Sequence, residues 1–464
     1  MSTIIAFFRR LCKREGRTRK LSDFEVDFYA GFAIIKKNAK GESALKKVTF
    51  AVLGAGNRGT RYAVMQLKYP EEMEVVAIAD NRPVRLESLN KVLKLPEDRL
   101  FASGEEMLAQ PKLADVMVIA TQDKQHCAHA IAALEKGYDL LLEKPIAVTA
   151  EDCKAIAETA HKYGRRIIVC HVLRYTVFYQ HIKKLIDDGV LGKVESIEAA
   201  EQVGYYHYAH SYVRGNWHNS IESSPMILAK SCHDMDLFLW LTGRSCKKIT
   251  SFGSQSYFNK EHCPPNATER CTDGCPVEDC PYHAQKFYFS RIPNWPANVL
   301  HPEPTEENIL EILKTTDYGR CVFQMPDNDV VDHEVTNLLM DDGTTVTFTM
   351  TGFSNRQTRT IHVFGSKGDV VGDFKARTLN LRIFGKEEET IDLSPLYDDF
   401  TGHGGGDGRM MKDVIRFYRG DDFDTSAITM IDRSTESHYL AFAAEYSRTH
   451  DGACVDMDEF IKTI

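Results

Sequence analysis

Hydrophobic residues between positions 47 and 171 form short apolar runs separated by longer amphipathic stretches. The runs end at a glycine or a polar residue and do not alternate with polar positions, which is typical of strands covered on both faces. We predict strands at 48–53, 75–79, 115–120, 139–142 and 166–170, and helices at 58–69, 83–94, 126–136 and 150–163. Thr149 is a predicted N-cap of the last helix. Repeated strand–helix units with short links favour an α/β fold with a doubly wound parallel sheet.

The pattern changes after position 171. A helix is predicted at 178–188, and many later apolar residues alternate with polar ones, as in strands with one solvated face. These strands are predicted at 194–203, 248–258, 321–325, 331–340, 344–352, 358–364, 370–374, 379–384 and 390–393, and helices at 409–418 and 434–449 close the chain. We therefore predict two domains, a doubly wound parallel sheet in residues 47–171 and an open, mostly antiparallel α+β domain in residues 172–464.

Residues 1–46 form a separate, basic N-terminal extension. The stretch from Arg9 to Lys20 carries seven basic residues and one acidic residue. We expect a solvated leader that packs loosely on the body, with a short amphipathic helix at 24–35. A tail that binds an acidic partner is the alternative.

The composition excludes several classes of protein. The chain is 43% hydrophobic and 27% charged, as in globular proteins. No apolar run approaches the roughly 18–20 residues of a membrane span, and a net charge of −9 argues against nucleic acid as a partner. Twelve cysteines in 464 residues do not make a disulfide framework, which favours a cytoplasmic location. A broad sheet face in the second domain favours a homo-oligomer.

A glycine-rich turn, Gly54-Ala-Gly56-Asn-Arg-Gly59, joins the first predicted strand to the first predicted helix. The first glycine permits a tight turn, the second lets backbone amides approach a pyrophosphate, and the third lets the helix pack close to the strand. Asp80 ends the second predicted strand, where a carboxylate bonds the adenosine ribose and repels a 2′-phosphate. NAD is therefore the predicted cofactor, and NADP is the alternative because arginines follow Asp80.

The tripeptide Glu143-Lys144-Pro145 follows the fourth predicted strand, at the sheet edge where open α/β folds place their ligands. A lysine beside a desolvated cofactor can have a depressed pKa and transfer a proton. Lys144 is therefore a catalytic candidate, and a surface lysine with no such role is the alternative.

These motifs, together with Ala120-Thr-Gln-Asp-Lys-Gln-His126 and His233-Asp-Met-Asp236, resemble those of the Gfo/Idh/MocA oxidoreductases. The resemblance runs from about Lys47 to near the C terminus. It implies a Rossmann domain, a second domain that covers the nicotinamide, and action on a secondary alcohol of a sugar, cyclitol or glycoside. The candidate cofactor-binding residues are Gly54, Gly56, Asn57, Arg58, Gly59, Asp80, Thr121, His126 and Glu143.

A single helix is predicted over 227–240. It would carry Lys230, His233 and Asp236 at steps of three, so that they share one side. A histidine of near-neutral pKa can accept the proton of an alcohol. Many members of the resembled family have an aspartate four residues before this histidine, whereas this chain has Ala229 there and Lys230 beside it. We therefore predict that Lys144, Lys230 and His233 form the catalytic cluster, and a hydrogen-bonded core histidine is the alternative.

Other polar residues are predicted to reach the same cleft. The stretch 205–217 is predicted as an aromatic and polar loop, and flat rings with nearby hydrogen-bonding groups suit the faces of pyranose sugars. A structural role at the domain junction or at a helix entry is the alternative. The candidate substrate-binding residues are Arg174, Tyr175, His210, Arg214, Trp217, Asp236 and His403.

Four cysteines, Cys263, Cys271, Cys275 and Cys280, lie within eighteen residues. This density permits a structural zinc or iron–sulfur site. The spacing matches neither a zinc ribbon nor a ferredoxin, so reduced thiols or one local disulfide are the favoured alternatives.

Taken together, these features predict an enzyme, an NAD(P)-dependent oxidoreductase that transfers a hydride between a nicotinamide cofactor and a carbohydrate secondary alcohol. The first alternative is redox-neutral cleavage or isomerisation of a glycoside, by transient oxidation at C3 with tightly bound NAD. The second alternative is a non-catalytic dinucleotide-binding regulator.

Overall fold

The structure, a computed structural model, describes residues 46–397 and 402–464. The predicted basic extension, apart from Lys46, and its helix at 24–35 lie outside the described residues. A six-stranded sheet comes first, and its five neighbouring pairs are all parallel, in the order β3-β2-β1-β4-β5-β6. Its strands are β1 Val48–Leu53, β2 Met73–Ala79, β3 Leu100–Phe101, β4 Val116–Ile119, β5 Asp139–Leu142 and β6 Ile167–Val169. This arrangement confirms the predicted doubly wound sheet.

Helices cover both faces of this first sheet. They are α1 Asn57–Ala63, α2 Pro83–Leu93, α3 Gly104–Ala109, α4 His126–Glu135 and α5 Ala150–Tyr163. The N-cap prediction is confirmed, because the Thr149 side chain accepts a hydrogen bond from the amide of Asp152 (3.1 Å). α1 is shorter than predicted, since its last turns tighten into a 3-10 helix at Val64–Leu67.

A second sheet of nine strands follows, in the order β14-β13-β12-β11-β7-β10-β9-β8-β15. β7 and β10 are parallel and the other pairs of described strands are antiparallel, which confirms the mostly antiparallel prediction. One face is buried, as alternation along β10 shows for Val346, Phe348 and Met350. The strands are β7 Val194–Gln202, β8 Cys246–Ser254, β9 His333–Met340, β10 Thr345–Thr351, β11 Thr358–Gly365, β12 Gly368–Asp373, β13 Thr378–Ile383, β14 Glu389–Asp392 and β15 Val455–Asp456.

Helices pack on the buried side of the second sheet and around it. They are α6 Val177–Asp187, α7 Tyr205–Tyr208, α8 Met226–Ala229 and α9 Cys232–Thr242. A long insertion between β8 and β9 adds α10 Ala284–Phe289, α11 Ala297–Leu300 and α12 Glu306–Thr315, which surround a small core of their own. The strand predicted at 321–325 is wrong, because residues 322 and 323 form a turn in this insertion.

The last helices return to the first sheet. Met411 and Val414 of α13 Gly406–Arg419 pack in the same core as Val52 of β1. α14 Ile431–Thr449 lies between α5 of the first domain and α9 and β8 of the second, and α15 Met457–Lys462 ends the chain. Within residues 46–397 and 402–464, no helix is both long and apolar enough to span a membrane.

Candidate active site

A cleft of about 910 Å³ lies at the carboxyl end of the first sheet and is covered by the second domain. This volume lies in the range of small-molecule sites, and the carboxyl edge is where open α/β sheets bind ligands. The glycine turn and Asp80 line one end. The other end is lined by Lys144, Glu201, His207, Lys230, His233, Arg359 and His403.

The glycine turn is tightly packed on the protein side and open on the cleft side. Gly54 has a φ of +98°, and a Cβ there would lie 2.4 Å from the carbonyl oxygen of Ala120. A Cβ at Gly59 would lie 1.8 Å from the carbonyl oxygen of Gly54. By contrast, the nearest atom to a Cβ at Gly56 would be Nη1 of Arg85, at 3.5 Å. The turn therefore keeps open space beside Gly56, as a pyrophosphate requires.

Asp80 is fixed by backbone amides at the wall of the cleft. Its Oδ2 accepts a hydrogen bond from the amide of Ala55 (2.8 Å), and its Oδ1 accepts one from the amide of Arg82 (2.9 Å). Nη1 of Arg85 lies 3.8 Å from Oδ2. The carboxylate thus stands beside the glycine turn with a partly neutralising guanidinium near it.

Arg58 and Glu143, two predicted cofactor-binding residues, line the cleft but direct their charges at protein groups. Nε of Arg58 donates to Oε1 of Glu143 (2.7 Å), and Nη2 donates to Oδ1 of Asp407 (2.8 Å). The hydroxyl of Tyr62 also donates to Glu143. Burial opposes ionisation of Glu143, but Arg58 and Tyr62 outweigh it and lower the pKa of this carboxyl. This ionic network therefore joins α1, the end of β5 and α13.

The turn after β4 is fixed by a histidine. Nδ1 of His126 lies 2.7 Å from the carbonyl oxygen of Pro145, and Nε2 lies 3.2 Å from that of Thr121. Thr121 and His126 both line the cleft, and the Thr121 hydroxyl is bonded to Nδ1 of His129 (3.1 Å). Asn57 lines the cleft too, and its Oδ1 accepts a bond from Arg61 (3.2 Å).

Lys144 extends from the end of β5 into the cleft. Its Nζ donates to the carbonyl oxygen of Ala229 (2.8 Å), and its amide donates to Oε2 of Glu143 (3.1 Å). Because Ala229 is the last residue of α8, this amine connects the first domain to the segment that carries Lys230 and His233.

The single helix predicted over 227–240 is wrong. α8 ends at Ala229 and α9 begins at Cys232, so Lys230 and Ser231 lie at a break between them. At this break Nζ of Lys230 approaches Oε1 of Glu201 on β7 (3.4 Å). Asp236 faces away from the cleft and accepts a bond from Nε of Arg174 (2.7 Å). Lys230 and His233 line the cleft, whereas Asp236 does not share their side.

His233 is buried at the back of the cleft, with 6% of its surface exposed. Its Nδ1 has no hydrogen-bond partner among the described residues. The ring packs edge-on against His171 (5.6 Å between centroids) and lies 6.4 Å from that of His403. Burial lowers the pKa of His233 well below 6.5, and the positive charge of Lys144 lowers it further. The imidazole is therefore neutral at pH 7.

Sequence reasoning missed a buried ionic group beside Lys230. Nε and Nη2 of Arg359 donate to the two oxygens of Asp234 (2.8 and 3.1 Å), and Nη2 lies 2.7 Å from Oε2 of Glu201. Burial lowers the pKa of Lys230, and the negative charge of Glu201 opposes that change. The available signal was Glu201 itself, a carboxylate two and four residues after Ala199 and Ile197 and therefore on the same face of β7.

Three of the predicted substrate-binding residues line the cleft: His210, Trp217 and His403. Nε1 of Trp217 donates to Oδ2 of Asp123 (2.8 Å), which ties the second domain to the first. Nδ1 of His210 is bonded to the hydroxyl of Tyr288 (2.6 Å), and burial lowers the pKa of His210 to about 3. Both side chains therefore have protein partners at the edge of the cleft.

The structure does not bring the other four to the cleft: Arg174, Tyr175, Arg214 and Asp236. Arg174 and Asp236 form a buried ion pair, and Tyr175 belongs to the core of the first sheet. The loop predicted at 205–217 is instead helical, with α7 continuing as a π-helix at Ala209–Val213. Arg214 follows this π-helix, and its guanidinium donates to the carbonyl oxygens of Arg320 and Tyr282 in the insertion.

Three of the four predicted metal-ligating cysteines lie together at a second, smaller cavity. Cys271, Cys275 and Cys280 line a small cavity in the insertion, together with Arg214. Cys263 does not line this cavity, and Cys321, which the spacing did not indicate, does.

Two family models match the chain. One, described as "Oxidoreductase family, NAD-binding Rossmann fold", matches residues 48–171. The other, described as "GFO/IDH/MocA C-terminal domain", matches residues 179–278. They therefore correspond to the parallel sheet and to the first part of the domain that covers the cleft.

Individual proteins are similar over different lengths. The YteT protein of Bacillus subtilis (strain 168) is 24% identical over 390 residues, which are 80% of this chain and 89% of that protein. Inositol 2-dehydrogenase of Klebsiella pneumoniae is 25% identical over 201 residues, 43% of this chain and 55% of that enzyme. A solved levoglucosan dehydrogenase, in complex with NADH and levoglucosan, is 15% identical and has a TM-score of 0.66 over 89% of this chain and 100% of that chain. That last likeness concerns the fold alone.

Proposed function

Because the chain belongs to the Gfo/Idh/MocA oxidoreductase family, we propose that it transfers a hydride between NAD and a secondary alcohol of a sugar, cyclitol or glycoside. The observation that carries this proposal is the bond from Nζ of Lys144 to the carbonyl oxygen of Ala229 (2.8 Å). It brings an amine of the first domain and the His233 imidazole of the second into the cleft that begins at the glycine turn.

The residues at the far end of the cleft fit NAD. Open space beside Gly56 leaves room for a pyrophosphate at the start of α1. Asp80 would accept bonds from the hydroxyls of the adenosine ribose, and its charge would repel a 2′-phosphate. Arg85 weakens this repulsion only in part, because its Nη1 lies 3.8 Å from the carboxylate. NAD is therefore favoured over NADP.

The two central side chains divide the proton chemistry. Bound NAD would supply the hydride acceptor. His233 accepts the proton of the alcohol, because its buried ring is neutral at pH 7. Nζ of Lys144, held by the Ala229 carbonyl, donates a hydrogen bond to the same oxygen and orients it. Lys230 lies beside them, and its Nζ is paired with a carboxylate oxygen of Glu201 (3.4 Å). This pairing favours a substrate-orienting role for Lys230.

The test is a screen of cyclitols, sugars and glycosides, inositol and levoglucosan first, for reduction of NAD or NADP followed by absorbance. We expect turnover with NAD, and a decrease in kcat of about 10²- to 10⁴-fold for Lys144→Ala and for His233→Ala. NAD affinity, measured by calorimetry, should stay near the wild-type value in both variants. Lys154→Ala and His262→Ala, which change surface residues away from the cleft, are the matched controls.

The alternatives give different results in the same screen. Conversion of a glycoside without net NAD reduction, by protein purified with NAD still bound, would favour the redox-neutral reaction. Dinucleotide binding with no turnover of any compound, unchanged by Lys144→Ala, would favour the regulator and overturn the proposal.

A further inference from the structure

Four thiols converge on one small cavity far from the catalytic pair. The cavity has a volume of about 10 Å³ and lies inside the insertion between β8 and β9. This volume corresponds to about one water-sized sphere, which suits a single ion. The cysteines that line it are Cys271, Cys275, Cys280 and Cys321.

Backbone pairing brings the fourth cysteine to the other three. The amide of Cys271 donates to the carbonyl oxygen of Gly319, and the amide of Cys321 donates to that of Glu269, both at 2.9 Å. Arg270 and Arg320 form an antiparallel bridge between these two bonds. This two-stranded contact therefore places Cys271 and Cys321 on the same face at diagonal positions, although fifty residues separate them in sequence.

Backbone amides lie beside three of the sulfur atoms. For three of the cysteines, the amide that faces the sulfur belongs to the residue two positions later in the chain. The pairs are Cys275 with Val277, Cys280 with Tyr282, and Cys321 with Phe323. Amides placed beside ligating sulfur are part of the outer support that metal–thiolate sites use.

A buried guanidinium completes these surroundings. Nη2 of Arg214 lies 3.7 Å from Sγ of Cys271 and 2.6 Å from the carbonyl oxygen of Tyr282. Its Nε donates to the carbonyl oxygen of Arg320 (2.7 Å). Arg214 thus fastens the segments that carry Cys280 and Cys321 and places a positive charge beside the sulfur atoms, at 3% exposure.

We propose that Cys271, Cys275, Cys280 and Cys321 bind one zinc ion as a structural tetrathiolate site. Zinc prefers four tetrahedral ligands, and sulfur lies about 2.3 Å from the ion in such sites. The incoming Zn²⁺ replaces the four thiol protons, which leave to solvent, so no electrons are exchanged. Arg214 compensates part of the resulting negative charge.

Binding draws the four sulfur atoms inward. As the described side chains stand, no three of them lie within 4.8 Å of one another, so rotation about the Cα–Cβ bonds must close the site on the ion. All described cysteines are free thiols, as this requires. Cys263 is excluded from the ligand set, because it lies outside the cavity and its Sγ accepts a bond from Gln324 (3.4 Å).

The zinc site would hold one wall of the active-site cleft in place. The insertion contributes Trp295, Val299 and Tyr318 to the cleft lining. It also contributes Tyr288, whose hydroxyl is bonded to His210. The ion would therefore fasten a region that the substrate meets, without entering the reaction itself.

The experiment is metal analysis of the full-length chain, purified without chelator, by mass spectrometry. We expect one zinc per chain, and loss of most of it in Cys321→Ser and in Cys275→Ser. Cys263→Ser and Cys454→Ser, the latter an exposed thiol, should keep it. His218→Ala should also keep it, although His218, Glu222 and Asp327 bring three ligand atoms within 4.8 Å at the surface. Full zinc retention in Cys321→Ser, or loss in His218→Ala or Cys263→Ser, would overturn the assignment.

A second measurement uses the wild-type chain and so does not depend on how the variants fold. Native protein is treated with an alkylating reagent, with and without a zinc chelator, and modified cysteines are mapped by peptide mass spectrometry. We expect the four cavity thiols to become modified only with the chelator, whereas Cys454 reacts in both samples. Equal modification of the four in both samples, or their recovery as disulfides, would refute the site.

Discussion

At the scale of single residues, backbone geometry fixes Asp80 at the wall where we propose that the adenosine ribose binds. Two amides, those of Ala55 and Arg82, fix its carboxylate beside the glycine turn. A hydrogen bond to a charged group contributes about 1.5–3 kcal/mol, so each ribose contact that we propose for this carboxylate would be a substantial part of dinucleotide affinity.

We expect Asp80→Ala to raise KM for NAD about tenfold or more and to shift selectivity toward NADP. Loss of the carboxylate removes both the ribose contact and the repulsion of a 2′-phosphate, while Arg85 remains. Steady-state kinetics with NAD and with NADP give two values of kcat/KM, and their ratio measures this selectivity. Glu74→Gln, at an exposed position of the same strand, is the control. An unchanged ratio would contradict the assignment of this wall to the ribose.

At the scale of elements, we propose that two glycines of the same turn serve different purposes, one in folding and one in ligand binding. Gly59 is needed because α1 packs onto the turn itself, whereas Gly56 is needed only if a ligand approaches the backbone. The two glycines therefore predict different phenotypes for the same substitution.

We expect Gly56→Ala to keep the wild-type melting temperature and to weaken NAD binding at least tenfold, because its methyl group occupies the open space beside the turn. Gly59→Ala should lower the melting temperature or prevent folding, since its Cβ would lie 1.8 Å from the carbonyl oxygen of Gly54. Thermal unfolding measures the melting temperature, and calorimetric titration measures the affinity for NAD. Equal NAD affinity in Gly56→Ala and in the wild type would contradict our placement of the pyrophosphate at this turn.

The network of Arg58, Glu143 and Asp407 fastens the Glu-Lys-Pro turn to α13. We expect Asp407→Asn to lower the free energy of unfolding by about 1.5–3 kcal/mol, because it replaces the charge-assisted bond from Arg58 with a neutral one, while Glu143 remains as the partner of Arg58. Urea denaturation measures the change. Asp188→Asn breaks the exposed Lys184–Asp188 pair and should change stability by less than about 0.5 kcal/mol. If the two variants lost the same free energy of unfolding, the buried network would contribute no more to stability than an exposed ion pair.

Local signals explain what the sequence could predict. The Thr149 cap and the glycine turn depend on residues within a few positions, and each strand of the first sheet is a short apolar run. The pairing of Lys230 with Glu201 at the break between α8 and α9 could not be predicted, because Glu201 lies on another element. The same holds for Arg359, which finds Asp234 more than a hundred residues away. Partners of this kind are set by topology, and no spacing along the chain reveals them.

At the scale of the whole molecule, the buried histidines make stability depend on pH. Burial lowers the pKa of each member of a set below its usual 6.5 and, for His438, to about 3. The set comprises His171, His210, His233 and His438. Below pH 6.5 the unfolded chain takes up protons that the folded chain excludes, so acid favours unfolding.

We expect the free energy of unfolding to fall as pH drops below about 6.5, with each such histidine contributing up to about 1.4 kcal/mol per pH unit. His171→Leu should reduce this slope by one proton, because both ring nitrogens of His171 are buried without a hydrogen-bond partner in the described chain. Denaturation between pH 7 and pH 5 measures the slope. His161→Gln, at a mostly exposed position, should leave it unchanged. A wild-type slope in His171→Leu would contradict the argument.

The return of α13 to the first sheet bears on how the protein is made. A ribosome completes β1 to β6 more than two hundred residues before it reaches Met411 and Val414, which cover part of that sheet. At about 5–20 residues per second, this apolar surface stays bare for roughly ten seconds or longer. The nascent first half is therefore the stage at which we expect chaperones to engage the chain and premature termination to yield aggregates.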